Sequence, residues 1–297
     1  MPSHAARHLL AALLASCAFA ASAAAAGASA RMPLVTMLDG DATLLRDGAR
    51  FALAEGVRLQ AGDLLATGHQ TRLLRLEFTG GPAIALGPDS RAMVAPNLGG
   101  DSNHAGVYLL TGWAKVAAPT GNPGALRSPV ADTETTAGTL ILDVEGGSAE
   151  AFAETGPSRV QPRAPDAPAQ PLKAGDRVTV PANGKAVLAR GASPAFVQAM
   201  PRAFMDSLPS RLAAFSTDVA PRRLGDMTYA DAQPWIDAEA SLRRVFAQRW
   251  RRLAADPQFR SGLVAGLKAH PEWQPILYPP PPPPPVLPRE HAASSHP

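Results

Sequence analysis

Cysteine is almost absent from this chain: Cys17 is the single one among 297 residues. A disulfide framework, a cysteine-based zinc site and CxxC redox chemistry are therefore excluded. Aromatic residues make up only 5% and charged residues 18%. Lysine occurs only at Lys115, Lys173, Lys185 and Lys268, so arginine carries nearly all of the positive charge. A formal net charge of +3 over this length is too small to argue for nucleic acid as a partner. The strings that announce common chemistries are missing too. Beyond the N-terminal segment and the tail there is no HExxH, no GxSxG, no phosphate-binding glycine loop and no pair of histidines at ligand spacing. Away from the termini the histidines are His69 in a turn, His104 in a polar glycine-rich loop and His270 ahead of a proline. No cofactor, no metal site and no catalytic set is expected.

What is present begins with an export signal. Arg7 gives a positive start, Leu9 to Ala26 is apolar and small, and no acidic residue precedes Asp39. Ala28-Ser29-Ala30 before Arg31 has the small-x-small form of a signal-peptidase site. Residues 1–30 are thus expected to be a signal peptide, and the protein to be periplasmic or secreted from a bacterial cell. Alanine-rich hydrophobicity is weak for a retained anchor, so the mature chain is expected to have no transmembrane span. Leu14-Ala15-Ser16-Cys17 also fits the lipobox at which bacterial lipoproteins are cut and acylated. Cys17 is the candidate lipidation site, and a lipid-anchored form is the alternative localisation.

From Leu34 to about Ala192 the pattern is short and period-two. Leu74, Leu76 and Phe78 share one face of an alternating run. Thr79-Gly80-Gly81 then turns the chain into Ala83 to Leu86. Leu140 to Val144, Ser148 to Ala153, Arg177 to Val180 and Ala186 to Ala189 continue the series, the last two joined by the hairpin dipeptide Asn183-Gly184. Pro119 to Pro129 and Thr155 to Pro171 read as Gly/Pro-rich surface loops. Beyond Ser193 the period becomes helical. Thr228 to Asp231 forms a capping box, and Leu242, Phe246, Trp250 and Leu253 make one stripe. Asp256-Pro257 is an N-cap followed by proline, ahead of Phe259, Leu263 and Leu267. The expected fold is mainly β, a sandwich or roll of short antiparallel strands over 34–192. A smaller α-helical domain over 193–278 and a polyproline tail over 279–297 follow, the tail opening with seven consecutive prolines.

The most informative string is Ala61-Gly62-Asp63-Leu64-Leu65-Ala66-Thr67-Gly68. After it come Leu74-x-Leu76-x-Phe78-Thr79-Gly80-Gly81, then Ile84-x-Leu86-Gly87-Pro88-Asp89-Ser90. Tyr108 to Val116 and Leu172-Lys173-Ala174-Gly175-Asp176 complete the order. Chemically these are turn motifs: glycine admits conformations closed to other residues, and aspartate bonds nearby backbone. Gly62, Asp63, Gly68, Gly80, Gly81, Gly175 and Asp176 are read as structural. The succession resembles the FecR-like periplasmic domain family over about half of the chain. That resemblance implies an extracytoplasmic β-domain. Family members are envelope signalling proteins with a cytoplasmic tail that regulates a sigma factor. Here an export signal stands where that tail would be, so no anti-sigma role is carried over.

Arg243, Arg244, Arg249, Arg251 and Arg252 crowd one helical stretch, with nine basic against five acidic residues between 222 and 268. They are the candidate partner-binding residues. The sequence supports a non-catalytic binding or scaffolding module in the bacterial envelope, with an envelope protein or a cell-wall glycan such as peptidoglycan as partner. A periplasmic sensor acting through a separate membrane protein is one alternative. A cell-envelope hydrolase with a site dispersed in sequence is another.

Overall fold

A computed structural model describes residues 32–94, 105–182 and 185–280. The signal segment with Cys17, the Asn183-Gly184 turn, His104 and the tail from 281 onward lie outside the described residues. The chain divides after Met227 into two compact units.

Unit 1 is built from strands. In order they are β1 (Leu34–Asp39), β2 (Ala42–Arg46), β3 (Ala49–Ala52), β4 (Leu64–Thr67), β5 (Leu73–Glu77) and β6 (Ala83–Leu86). Then come β7 (Arg91–Val94), β8 (Ala105–Ala118), β9 (Gly124–Arg127), β10 (Ala131–Thr135), β11 (Gly138–Glu145) and β12 (Ser148–Thr155). The last are β13 (Ser158–Pro162), β14 (Gln170–Leu172), β15 (Asp176–Val180), β16 (Val187–Arg190) and β17 (Arg222–Asp226). One sheet, A, has the order β1-β5-β6-β8-β11-β12-β15-β16, antiparallel throughout. The other, B, runs β17-β3-β2-β4-β7-β8-β9-β10-β13-β14, with β8 and β9 its parallel pair.

The two sheets share β8. Its first half pairs with β7 and β9, its second half with β6 and β11. The strand changes sheet at Gly112, whose φ is +91°. A Cβ there would lie 2.6 Å from both Cα and Oγ of Ser90. Ser90 closes the corner: its Oγ accepts from the Trp113 N–H at 2.9 Å and donates to the Trp113 carbonyl at 3.1 Å. With β8 bent in this way, the inward side chains of both sheets form one core, from Leu44, Leu65 and Leu126 of B to Leu76, Leu142 and Val178 of A. The mainly β fold expected from period-two patterning is the one observed.

Three features depart from the sequence reading. The two Gly/Pro-rich stretches are not simple loops: the first contains β9, the second β13 and β14. Proline content hid the alternation of Ser158, Val160 and Pro162, all buried on the inner side of β13. Residues 193–227, grouped by sequence with the helices, belong to unit 1. They hold one six-residue helix, α1 (Pro194–Ala199), two short 3-10 turns and β17, which adds to the edge of sheet B. Finally, both faces of β5 are buried, not one.

Unit 2 is helical: α2 (Tyr229–Ile236), α3 (Ala240–Arg249), α4 (Pro257–Gly266) and α5 (Gln274–Leu277). The capping box forms as read, with Thr228 N–H donating to Asp231 Oδ2 at 2.8 Å and Asp231 N–H to Thr228 Oγ1 at 3.3 Å. Asp256 caps α4 through the Phe259 N–H at 2.8 Å. Trp235, Leu242, Phe246, Trp250, Phe259 and Leu263 are buried, so the aromatic stripe is core. Gly262 and Gly266 admit the Tyr229 ring; a Cβ on Gly262 would stand 2.3 Å from Tyr229 Cγ. Among the described residues no helix is long and apolar enough to cross a membrane.

Because β8 joins both sheets at one left-handed residue, Gly112→Ala should cost unit 1 about 2–3 kcal/mol. Equilibrium urea unfolding measures this, and a loss below about 0.5 kcal/mol would remove Gly112 from that role.

Candidate functional site

The outer face of sheet A carries Leu73, Ile141, Trp113 and Phe152, which a solvated sheet face would not. A strap, residues 192–221, covers them. Ser193 caps α1 by accepting from the Phe196 N–H at 3.1 Å, and Pro194 opens the helix. This aims Phe196 at the sheet, where its ring centroid lies 5.1 Å from Trp113 and 6.2 Å from Phe152. Phe204 follows, buried among Leu73, Ile141 and their neighbours, with Met200, Ala203 and Leu208 packed beside it. The strap thus passes over β12, β11, β8, β6 and β5 in turn.

Polar groups tie it down at each step. Lys115 donates to the Phe204 carbonyl and pairs with Glu154 at 2.8 Å. Arg75 donates to the Pro209 carbonyl at 3.1 Å. Glu77, only 3% exposed, is the central acceptor. It takes hydrogen bonds from Ser210 Oγ at 2.5 Å, the Arg211 N–H at 3.1 Å and Thr36 Oγ1 at 2.8 Å, with Arg75 Nε 3.4 Å away. Arg211 reaches the Thr36 carbonyl at 3.1 Å and Glu55 at 3.2 Å. Farther on, Arg58 pairs with Asp218 at 2.8 Å and the Val219 N–H donates to the Gly56 carbonyl at 2.8 Å.

Beside the strap the sheet stays open. A cavity of about 400 Å³ lies on a floor of Ala83, Ala85 and Ala117, with Lys115 and Glu154 in it and Met205 at its rim. It continues past Gly80, Pro119 and Gly138 into a second depression that shares Arg75, Ala83, Ala117 and Thr139 with the first. Together they form one trough. Arg75, Glu77, Lys115 and Glu154 are its ionised members on the sheet, and each is already engaged in holding the strap or its neighbour. Met205 by contrast is 63% exposed. Small floor residues, an exposed thioether and the exposed Asp206 carboxylate are what the trough leaves open.

Sequence reasoning missed this site. Arg75 and Glu77 alternate with Leu74 and Leu76 and read as a solvated face. The available signal was Phe196 and Phe204 in a segment too broken by Pro201 and Pro209 to bury them within itself.

The turn residues lie where their chemistry suggests. Asp63, 1% exposed, accepts from the Gln60 N–H at 2.7 Å and takes both Nε and Nη2 of Arg46 at 2.8 and 2.5 Å. That contact keeps the Arg46 guanidinium more firmly protonated than usual. Asp176 accepts from the Lys173 N–H at 2.8 Å and from Arg190 at 2.7 Å. The Lys173 N–H first, then Arg190, hold its carboxyl below the ordinary carboxylate range. Gly62 and Gly175 precede them at φ +81° and +82°. Gly80 and Gly81 turn β5 into β6, and the Gly68 N–H donates to the Asp41 carbonyl at 3.0 Å. None of these seven contributes a group to the trough's polar contacts.

The five candidate arginines lie on α3 and just beyond it. Trp250 caps α3, so Arg251 and Arg252 lie past its end. Arg243 and Arg249, six residues apart, are about 240° around the helix from each other. Arg243 is turned inward, 3.3 Å from Glu272, while Arg244, Arg249, Arg251 and Arg252 are exposed. Among the described residues no group of three or more His, Cys, Asp and Glu is placed to hold a metal ion. His69 pairs with Asp89 at 2.7 Å on the surface.

No family model matches the chain, and no curated protein matches it. Among solved structures it is similar to two crystal structures of a candidate anti-sigma factor from Parabacteroides distasonis, at 14% and 15% identity and a TM-score of 0.36 in each case. Each match covers 43% of this chain and 59% of the other, so the chain spans less than two thirds of their length.

Two outcomes are expected from this geometry. Phe204→Ala removes the deepest strap anchor, a loss of about 3–5 kcal/mol locally. Trypsin should then cut at Arg202 and Arg211 at least about tenfold faster while the sandwich persists; unchanged cleavage would show the strap held without Phe204. Asp143 is the second case. Burial pushes its carboxyl up to about 6, and Glu145 and Glu150 push the same way. Its ionised form is therefore disfavoured in the fold, and stability is lost as pH rises from about 4 to about 6. Asp143→Asn should gain about 1–2 kcal/mol over the parent at pH 8, discounted for partial exposure, and nothing at pH 4. Urea midpoints across that range measure it.

Proposed function

We propose that this chain is an exported bacterial envelope protein, a non-catalytic module that recognises another envelope protein through the trough beside the strap. The observation that carries the reading is the state of the trough's charges. Arg75, Glu77, Lys115 and Glu154 are committed to one another or to the strap. What stays open is a floor of alanines, the exposed Met205 and the exposed Asp206 carboxylate beside it, a surface able to accept apolar side chains of a partner with a polar or basic group at its edge. The signal-like N-terminus and the FecR-like order of turns support placement outside the cytoplasm. The same surface serves a sensor when the partner is a membrane-spanning signalling protein, and a scaffold when it is soluble or attached to the cell wall.

A photo-crosslinking amino acid at Met205 of the full chain, irradiated in an envelope fraction, should yield one predominant adduct. Ala117→Arg fills the exposed floor without touching the core and should abolish that adduct. An adduct unaffected by Ala117→Arg would sink the proposal. Equal pelleting of both forms with purified peptidoglycan would replace the protein partner by a glycan bound elsewhere.

A further inference from the structure

Unit 2 gathers several ionisable side chains around one buried imidazole. His270 is 8% exposed. Its Nε2 lies 2.9 Å from Asp237 Oδ1, at the C-cap of α2. Its Nδ1 lies 3.9 Å from Glu272 Oε1, too far for a hydrogen bond. That same oxygen is 3.3 Å from Arg243 Nε on α3. The Tyr229 hydroxyl, from α2, completes the surroundings: it and the His270 ring each come within 3.3 Å of where a Cβ on Gly266 would stand. Burial and Asp237 keep that phenol in its neutral form to higher pH than usual. Arg243 Nε, His270 Nδ1 and Glu272 Oε1 are all buried without a hydrogen-bond partner.

Arg243 Nε and Glu272 Oε1 at least face each other as an ion pair, whereas His270 Nδ1 forgoes its bond to water with nothing in return, which is costly. Their arrangement says what is missing. With Asp237 accepting at Nε2, the neutral imidazole carries its proton there, and Nδ1 presents a lone pair. It faces a carboxylate oxygen, so acceptor meets acceptor. Formal charge tells the same story. Asp237, Glu272 and Arg243 with a neutral imidazole sum to one excess negative charge; an imidazolium cancels it.

We propose that His270 is a proton-operated tie. Uptake of a proton at Nδ1 turns the contact with the Glu272 oxygen, 3.9 Å away, into an attraction between opposite charges, and fastens the turn at 270–273 to α2 through Asp237 and to α3 through the Glu272–Arg243 pair. Unit 2 is then held more tightly in mildly acid surroundings than in alkaline ones.

The test uses the full chain. Trp235, Trp250 and Trp273 lie in unit 2 and Trp113 in unit 1, so in a Trp113→Phe background fluorescence reports unit 2 alone. It is then blind to the titration of Asp143 in unit 1. The thermal midpoint should be higher at about pH 5.5 than at about pH 8, by about 4 °C or more. His270→Gln keeps a donor for Asp237 but takes up no proton, and should lose most of that difference. If His270→Gln does not fold, Glu272→Gln provides the check: it removes the facing carboxylate and should shrink the difference to less than about half. A parent with no difference, or either variant retaining all of it, overturns the proposal.

Discussion

Sheet A carries large apolar side chains on both faces, and the rest of unit 1 is arranged around that fact. Leu74, Leu76 and Leu142 look into the sandwich, while Leu73, Ile141, Trp113 and Phe152 look out. Exposed apolar area costs about 25 cal/mol per Å², so an outer face of this kind needs a cover. The strap supplies it with a short helix, two 3-10 turns and irregular chain. Eight strands at about 4.8 Å spacing make a face about 34 Å wide, which about ten extended residues would span. The strap uses more chain than that. The surplus lets it set a side chain or carbonyl against successive strands, from Phe196 over β12 to Arg211 over β1.

Covering the sheet buries charge as well as carbon. Glu77 sits under the strap with four partners, and Arg75 and Lys115 each point at a strap carbonyl. Removing one member of such a buried pair costs about 3–5 kcal/mol because the other is left uncompensated. These ions therefore keep the strap in one register across the sheet. Beside these engaged ions the trough offers small residues, Met205 and the Asp206 carboxylate. For this reason the reading rests on recognition.

Much of the fold was legible in the sequence. Period-two runs marked β5, β6, β11, β12 and β15, and the caps at Thr228 and Asp256 marked where α2 and α4 begin. The site was not legible, because its determinants are far apart: Glu77 meets Ser210 and Arg211 more than a hundred residues on. Alternation reports which residues share a face, but not whether a distant segment covers that face. Arginine counting is limited for a related reason. Of the five arginines on α3 and just past its end, Arg243 is engaged by Glu272 while the other four are exposed. Composition records charge, and only folding decides which charges are spent internally.

The turn motifs show why a recognisable order of residues can specify a fold without a function. Gln60-Ala61-Gly62-Asp63 in sheet B and Lys173-Ala174-Gly175-Asp176 in sheet A are the same device. In each, the aspartate N–H donates to the carbonyl three residues back, at 3.1 and 2.9 Å, across a turn that needs a left-handed glycine in its third place. In each, one carboxylate oxygen takes the backbone N–H at the start of the turn, and an arginine from the neighbouring strand is bound beside it. Arg46 reaches Asp63 from β2, and Arg190 reaches Asp176 from β16. Each device starts a strand and fixes it to its neighbour, and every polar atom of the aspartate is consumed in doing so. Residues used in this way locate strands first. On the reading proposed above, recognition falls to the strap and the open floor beside it, where the sequence follows no motif.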